Sequence, residues 1–401
     1  MCDQIEYPKL RPVELFPAAK NQVWLGDSTG LASGLFRLSQ PALFIVSLMD
    51  GQHSRLDIQE QFMRKFGQML LSEELNPLIE DLDKAYFLDS PNLLAYRQQL
   101  ESDYQRAPFR KLREEGGLAP DPHNLDDFLD DMLSQGGESD DRIAGFISPH
   151  LDYTRGAPCY GLSYHDLGSH TDACRFVILG TNHHGESHSI VGTRKGFETP
   201  WGIVPHDAGF MQAMDEKCGL NLCEKEYDHA REHSIELQVV LLRKALGERP
   251  FSIVPYLCPD PCGPAGTKPL DGRGVDMRAF AQHLGELIVS DPIPTCIIAG
   301  ADLSHIGAFF GDSRRIDDSY LEEVRRIDHD ALSAIESGDP ESFRDMIAAT
   351  GNQTRICGAG SIYVLATALH GRATARLRRY HQAVTHEIQN CVTCAALDFI
   401  R

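Results

Sequence analysis

Three short apolar runs dominate the hydrophobic pattern in the second half of the chain, at residues 143–147, 176–179 and 296–299. Short runs rich in β-branched residues and bounded by glycine or polar residues predict buried strands. Each run is followed within six residues by a histidine, and these are His150, His183 and His305. Because ligands of open α/β sheets bind beyond the carboxyl ends of the strands, we expect the three histidines to meet at one edge of a sheet.

The alternation of elements continues to the end of the chain. Further apolar runs predict strands at residues 251–257, 375–384 and 391–399. Periodic apolar positions predict helices at residues 207–217, 228–246, 277–289, 319–335 and 359–369. Strands that alternate with helices favour parallel strand pairs, so residues 141–401 are predicted to form one α/β domain with a sheet flanked by helices.

Residues 1–100 predict a separate small domain. A hairpin around Trp24 precedes three short amphipathic helices, for which Ser54 and Ser72 are predicted N-caps. This order of elements is typical of a winged-helix-like domain. Residues 101–140 are predicted to be a linker, in which polar breaks at residues 114–117 and 136–141 flank a short acidic helix at residues 125–133.

Composition narrows the class of protein. The formal net charge of −20 excludes the basic face of a nucleic-acid-binding protein and disfavours an anionic membrane surface. No apolar stretch approaches the roughly 18 residues of a membrane span, and the first residues show no secretory signal. The 11 cysteines are an odd number and are scattered along the chain, which is typical of reduced thiols, so we expect a cytoplasmic protein.

The strand-end histidines, with Asp302 just before His305, predict a metal site. Imidazole is a ligand for zinc, copper, iron and nickel, and a neighbouring carboxylate can fix the tautomer of a ligand histidine. A lone histidine in a loop is usually only solvated. Three histidines at the ends of strands in one predicted sheet favour metal binding instead.

Six short motifs strengthen this prediction. They stand at residues 148–153 (SPHLDY), 179–184 (LGTNHH), 199–202 (TPWG), 232–236 (EHSIE), 301–305 (ADLSH) and 356–358 (ICG). In this order they resemble the Memo family, whose bacterial and archaeal members are also known as AmmeMemoRadiSam system protein B. The resemblance covers most of residues 141–401. It implies a fold similar to the class III extradiol dioxygenases, which are non-haem iron enzymes that cleave catechol rings.

The resemblance also implies roles for individual residues. His150, His183 and Cys357 match the metal ligands of the family. Asp302 and His305 match its pocket residues, with His305 as the acid/base and Asp302 orienting it or a ligand. Two family motifs differ here, since Pro-His-Ala-Gly-Tyr reads PHLDY and Gly-Pro-Ser-His-His reads GTNHH. Neither difference removes a ligand, but both change residues that border on the predicted site.

The predicted ligands indicate which metal to expect. The thiolate of Cys357 is a soft ligand for Fe(II), Cu(I) or zinc. Two imidazoles and one anionic ligand leave coordination positions open, as in the iron oxygenases that use two histidines and one carboxylate. We therefore expect Fe(II), with copper or zinc as alternatives. Four further residues are predicted to contact the substrate: Tyr153, His184, His233 and Glu236.

These observations leave three functional hypotheses. The first is a mononuclear non-haem metal-dependent redox enzyme, similar to the dioxygenases, for which the resemblance implies radical SAM and AMMECR-type partners. The second is a non-enzymatic module that binds a metal and a peptide. It gains support from residues 48–51 (LMDG) and 82–88 (LDKAYFL), which resemble PqqD-like domains that hold peptide substrates.

The third hypothesis is a zinc hydrolase, because residues 229–233 read His-x-x-Glu-His. On a helix, His229 and His233 would lie one turn apart and Glu232 would serve as general base. A pattern of five residues is easily matched by chance. The Memo-like motif at residues 232–236 explains most of it without His229.

Overall fold

The structure is a computed structural model that describes residues 5–18, 22–27, 29–32, 34–113, 124–136 and 142–401. The chain divides into two compact units, Met1–Arg106 and Ala107–Arg401. The predicted polar breaks at residues 114–117 and 136–141 lie outside the described residues, except for Gly136. The boundary between the two units falls within residues 101–140, which were predicted to be a linker. Residues 101–106 end a helix of the first unit, and the described residues from 107 onward belong to the second.

The first unit combines a three-stranded antiparallel sheet with helices. Its strands, in the sheet order β1-β2-β3, are β1 (Glu14–Pro17), β2 (Gln22–Gly26) and β3 (Phe36–Ser39). Its helices are α1 (Gln40–Ser47), α2 (Arg55–Phe66), α3 (Ser72–Lys84) and α4 (Pro91–Arg106). The predicted cap of α2 is present, since Ser54 and Asp57 accept each other's backbone N–H in a capping box. The N-cap of α3 is Leu71, so the cap predicted at Ser72 was wrong by one residue. A winged-helix-like or PqqD-like character of this unit stays a prediction.

In its described residues, the second unit contains two sheets. Its strands are, in chain order, β4 (Phe109–Arg110), β5 (Ile143–Ser148), β6 (Arg175–Thr181), β7 (Val191–Gly192), β8 (Gly196–Thr199), β9 (Gly202–Val204), β10 (Ser252–Cys258), β11 (Thr295–Gly300), β12 (Asp302–Ile306), β13 (Thr374–Thr385) and β14 (Asn390–Ile400). The large sheet has the order β12-β14-β5-β11-β6-β10-β7, with β13 paired to β14. The small sheet has the order β4-β8-β9.

Helices cover both faces of the large sheet. They are α5 (Leu125–Ser134), α6 (Tyr153–Tyr164), α7 (Leu167–His170), α8 (Ala208–Cys218), α9 (Glu236–Leu246), α10 (Met277–Ser290), α11 (Asp318–Glu336), α12 (Pro340–Ala349) and α13 (Ala359–Ala368). The predicted α/β architecture with parallel strand pairs is confirmed. The helix predicted at residues 228–246 was wrong at its start, because α9 begins at Glu236 and residues 226–229 form a short 3-10 helix. No helix in the described part of the chain is long and apolar enough to cross a membrane.

The centre of the large sheet positions the functional site. Strands β5, β11, β6 and β10 are parallel neighbours. In β6, Val177 and Leu179 face one hydrophobic core while Phe176 and Ile178 face the other, so this strand is buried on both sides. Because Ala299 pairs with both Ile147 and Leu179, the carboxyl ends of β5, β11 and β6 lie at one edge.

Candidate metal centre

That edge of the sheet and the turn before α13 bring three metal-binding side chains together. One ligand atom from each of His150, His183 and Cys357 lies within 4.8 Å of the other two. His150 stands two residues beyond β5, and His183 stands two residues beyond β6. Cys357 lies two residues before α13, and its Sγ is 3.1 Å from Nε2 of His150 although 207 positions separate them in sequence.

His150 is held in the tautomer that a metal ligand needs. Its buried ring has Nδ1 2.8 Å from the carbonyl oxygen of Gly300, so Nδ1–H donates to that carbonyl. The lone pair is then on Nε2, which faces Cys357. Burial, reinforced by the nearby His183, lowers the pKa of His150 to about 3, so the ring is neutral at pH 7.

His183 is oriented by the carboxylate of Glu232. Its Nδ1 lies 3.1 and 3.2 Å from the two carboxylate oxygens, and its backbone N–H donates to Oε2 at 2.9 Å. Burial by itself lowers the pKa of His183, but the hydrogen bond to Glu232 and the charges of Glu232 and Asp302 together raise the pKa above its usual value. Because Nδ1–H faces the carboxylate, Nε2 is the nitrogen that can bind a metal.

Glu232 anchors the histidines and is a poor ligand itself. Its Oε1 accepts the backbone N–H groups of His233 and Ser234 at 2.8 and 2.9 Å, and the carboxylate as a whole also accepts the two N–H groups of His183. Burial raises the pKa of Glu232, but these hydrogen bonds and the charge of His183 bring it well below its usual value. His183, Glu232 and His233 also form a cluster within 4.8 Å. Because four N–H donors occupy the carboxylate, we interpret this second cluster as residues that hold the ligands of the first cluster in place.

Two glycines allow the Glu232 loop to approach the strand ends. A Cβ atom at Gly180 would overlap the hydroxyl of Ser234, and a Cβ at Gly300 would lie 2.6 Å from the Ser234 carbonyl oxygen. Ser234 also accepts the backbone N–H of Thr181 at 3.0 Å. Larger residues at these two strand ends would therefore push the loop, and Glu232 with it, away from His183.

The surroundings of Cys357 disfavour a free thiolate, whereas a bound metal ion would stabilise one. Burial, with the nearby Asp302 carboxylate, raises the pKa of the Cys357 thiol well above its usual value. A divalent cation reverses this effect, because a coordinated thiol is deprotonated. Two imidazoles and one half-buried thiol are the donors that iron, copper and zinc accept. The residues present therefore fit a bound metal ion.

His305 and Asp302 flank this cluster through separate contacts. Nδ1 of His305 lies 3.0 and 3.1 Å from the carbonyl oxygens of Leu303 and Arg355, and burial lowers the pKa of the ring. Those two carbonyls, rather than Asp302, hold the ring in place. Oδ1 of Asp302 instead accepts the backbone N–H of His150 at 2.9 Å. Burial raises the pKa of Asp302 to about 6.

The four predicted substrate-contacting residues separate into two pairs. The His233 ring is stacked on His183 with centroids 5.0 Å apart, and the His184 ring lies 6.2 Å from His183, so both border on the cluster. Tyr153 is fully buried and donates its hydroxyl to the carbonyl of Leu237. Glu236 is 1% exposed and is paired with arginines. Neither Tyr153 nor Glu236 can touch a substrate in this structure, because packing and ion pairing occupy them.

The geometry required for the zinc hydrolase is absent from the described residues. His229 ends a 3-10 helix, and its Nε2 faces the carbonyl oxygen of Val191 at 2.9 Å. The segment from His229 to His233 is not one α-helix, so the two histidines do not share a helical face. The physical reason is local: the Glu232 carboxylate accepts nearby backbone N–H groups that a helix would have used.

Fold and site together define a class: an α/β protein with two histidines and a cysteine gathered at the carboxyl edge of a mixed sheet. The model of the Memo family, described as Memo-like protein, matches residues 118–397. The chain belongs to this family.

Several curated relatives agree with this assignment. A MEMO1 family protein of Aquifex aeolicus is 24% identical over 381 residues, which cover 95% of this chain and 96% of the relative. Since 5% of 401 residues is about 20, that match includes most of the first unit. A MEMO1 family protein of Thermus thermophilus is 25% identical and covers 79% of this chain and 90% of its own. The Caenorhabditis elegans protein memo-1 homolog is 24% identical over 67% of this chain and 75% of its own.

Among solved structures, the crystal structure of an uncharacterized protein from Escherichia coli K12 matches with a TM-score of 0.36 at 11% identity. The match covers 64% of this chain and all of that protein. The family assignment therefore stands on the sequence matches.

Proposed function

We propose that this protein is a mononuclear, non-haem metal-dependent redox enzyme whose metal is held by His150, His183 and Cys357. The observation that carries the proposal is that their ligand atoms lie within 4.8 Å of one another while each Nδ1 has a partner elsewhere. Tautomers fixed in this way leave both Nε2 atoms free. Fe(II) is the proposed metal, and copper and zinc are the alternatives that the same donors accept.

A redox-active metal in this site would supply electron transfer and open coordination positions for a substrate. The chain supplies the proton chemistry. His305 is neutral at pH 7 because burial lowers its pKa, and its Nδ1 is held by two backbone carbonyls. Nε2 is therefore the atom that can accept a proton from a substrate, as a general base. Phe310, with its ring 5.1 Å from His305, limits the motion of that imidazole.

Thiolate in place of the carboxylate of related iron sites changes the metal chemistry. A softer ligand favours electron transfer, so a dioxygenase-like reaction is part of the proposal rather than an inherited property. We also propose that the substrate is a peptide or protein. The proposed partners are radical SAM and AMMECR-type proteins. Co-purification of such partners with the tagged full chain, compared with a Cys357→Ser variant, tests this part separately.

Oxygen uptake tests the proposed activity. The full chain is loaded with Fe(II) without oxygen, and uptake is then measured with catechols and candidate peptides. We expect turnover that falls at least tenfold in His305→Gln with the metal content unchanged, and that is lost with the metal in Cys357→Ser. His188→Gln is a control, because His188 is an exposed histidine of the loop that follows His183. Tight metal and peptide binding without turnover would instead support the non-enzymatic module.

A further inference from the structure

A short segment that was expected to be a linker is built into the support of the metal centre. Residues 107–113, which we call the strap, begin the second unit. The carbonyl of Ala107 accepts Nζ–H of Lys195 at 2.7 Å, and β4 pairs with β8 in parallel. The backbone N–H of Leu112 donates to Glu198 at 3.1 Å. Contacts along its whole length therefore fix the strap.

Arg110 is the centre of the strap. Its side chain is 2% exposed, and its guanidinium lies over the Phe197 ring at 5.0 Å. Nε donates to the carbonyl oxygen of His229 at 2.8 Å, and Nη2 donates to the carbonyl oxygen of Glu232 at 2.6 Å. Nη1 forms a buried ion pair with Glu236, whose other carboxylate oxygen accepts Nε–H of Arg113 at 3.1 Å. One side chain thus bridges both ends of the Glu232 loop, residues 229–236.

This loop needs such a bridge. Its backbone carbonyls must find hydrogen-bond donors, and within the loop the carbonyl of His229 accepts the backbone N–H of Glu232 only at 3.3 Å. The planar guanidinium presents several donors in a fixed geometry, which a lysine cannot reproduce. The carbonyl that Arg110 holds belongs to Glu232, whose carboxylate fixes Nδ1 of His183. A continuous chain of contacts therefore connects the strap to a ligand histidine.

We infer that Arg110 is a positioning residue for the metal centre, acting through Glu232 to hold His183 in its metal-binding orientation. The inference rests on the proposed metal site, since it names how the chain maintains one of the ligands. The simpler alternative is that Arg110 contributes only to folding stability, as other buried arginines do.

Arg175 provides a matched control for that alternative. Its side chain is also 2% exposed and lies over a phenylalanine ring, Phe210, at 4.3 Å. It also pairs with carboxylates, those of Asp207 at 2.7 Å and Asp291 at 3.0 Å. It stands at the beginning of β6, whereas His183 follows the other end of that strand. Replacing Arg175 removes an equally buried guanidinium and its ion pairs with two carboxylates, and Arg175 makes none of these contacts with the Glu232 loop.

The test uses the full chain and Co(II) or Zn(II) as the probe, titrated against a competing chelator. Arg110→Met is expected to weaken metal binding about 10- to 100-fold, the usual effect of losing an outer support of a metal ligand. Arg110→Lys keeps the charge opposite Glu236 but cannot bridge both carbonyls, so a smaller loss is expected. The visible spectrum of the Co(II) form should change in both variants, and Arg175→Met should leave affinity and spectrum unchanged.

The outcomes separate this inference from the proposed function. If the unmodified chain binds no metal ion, the metal site and the role of Arg110 are both wrong. If it binds metal and folded Arg110→Lys shows the same affinity and spectrum, only the role of Arg110 is overturned. Equal weakening in Arg175→Met would also overturn it, because the effect would then follow from general destabilisation. Thermal midpoints of the metal-free variants identify that case, and Arg110→Lys provides the test if Arg110→Met does not fold.

Discussion

Replacing Glu232 by glutamine tests how the metal centre is oriented. Oε1 of Glu232 accepts two backbone N–H groups, and Oε2 accepts the backbone N–H of His183. A glutamine that keeps the two bonds to Oε1 must direct its NH2 group toward His183. Nδ1 would then accept a hydrogen bond, and the ring proton would move to Nε2. That tautomer has no lone pair for a metal at Nε2.

The size of this effect follows from the hydrogen bond that is lost. With a metal bound, His183 of the variant lacks the hydrogen bond that its Nδ1–H donates to the Glu232 carboxylate in the unmodified chain, and such a bond to a charged group contributes about 1.5–3 kcal/mol. Since about 1.4 kcal/mol corresponds to a tenfold change in affinity, Glu232→Gln should weaken metal binding about 10- to 150-fold. A chelator competition with Zn(II) or Co(II) measures this directly.

Glu226→Gln is the matched control for this prediction. Glu226 lies six residues before Glu232 and can be changed to glutamine in the same way. Its carboxylate contacts Thr193 and Lys195 instead of His183. Its replacement should leave the metal affinity within about a factor of two. If Glu232→Gln is folded and binds metal as tightly as the unmodified chain, the assignment of Glu232 as the anchor of His183 is wrong.

Three further predictions concern other parts of the chain. His229→Ala should lower stability, because the ring of His229 is buried. Its zinc affinity should be unchanged in the same competition assay, and a loss of zinc binding would support the zinc hydrolase hypothesis instead. Burial raises the pKa of Asp328 to about 6 from 3.8, so the contribution of this carboxyl to stability should fall by about 3 kcal/mol as the pH rises from about 4 to about 6. Asp328→Asn should remove this fall in urea unfolding, whereas the exposed Asp330→Asn should retain it. Ser54→Ala should lower the unfolding free energy of the first unit by about 1 kcal/mol, because it removes the cap of α2.

The sequence predicted the parts of the site that depend on strands. β5 and β6 are continuous apolar runs, and their buried positions explain why His150 and His183 meet at one edge. Cys357 carries no such signal, because it lies in a turn before a helix. Its role came only from the resemblance to the Memo family, and the structure shows the proximity that a pattern along the chain cannot.

The supporting residues were the least predictable. Arg110 lies in a stretch that composition predicts to be a linker. Its side chain is 2% exposed, and nothing in the sequence indicates that this arginine is buried. The Glu232 loop was misjudged for a different reason. Its apolar periodicity continues into α9, while the hydrogen bonds that prevent a helix come from a side chain within the loop itself. Local polar contacts of this kind override periodicity wherever a carboxylate is buried.

The donor set of the metal is the most direct test of the whole account. X-ray absorption on the full chain loaded with one equivalent of Zn(II) should show one sulfur at roughly 2.3 Å and nitrogen at roughly 2.0–2.1 Å. In Cys357→Ser the sulfur contribution should disappear. A zinc ion without any sulfur ligand in the unmodified chain, or an unchanged spectrum in Cys357→Ser, would contradict a centre built from His150, His183 and Cys357.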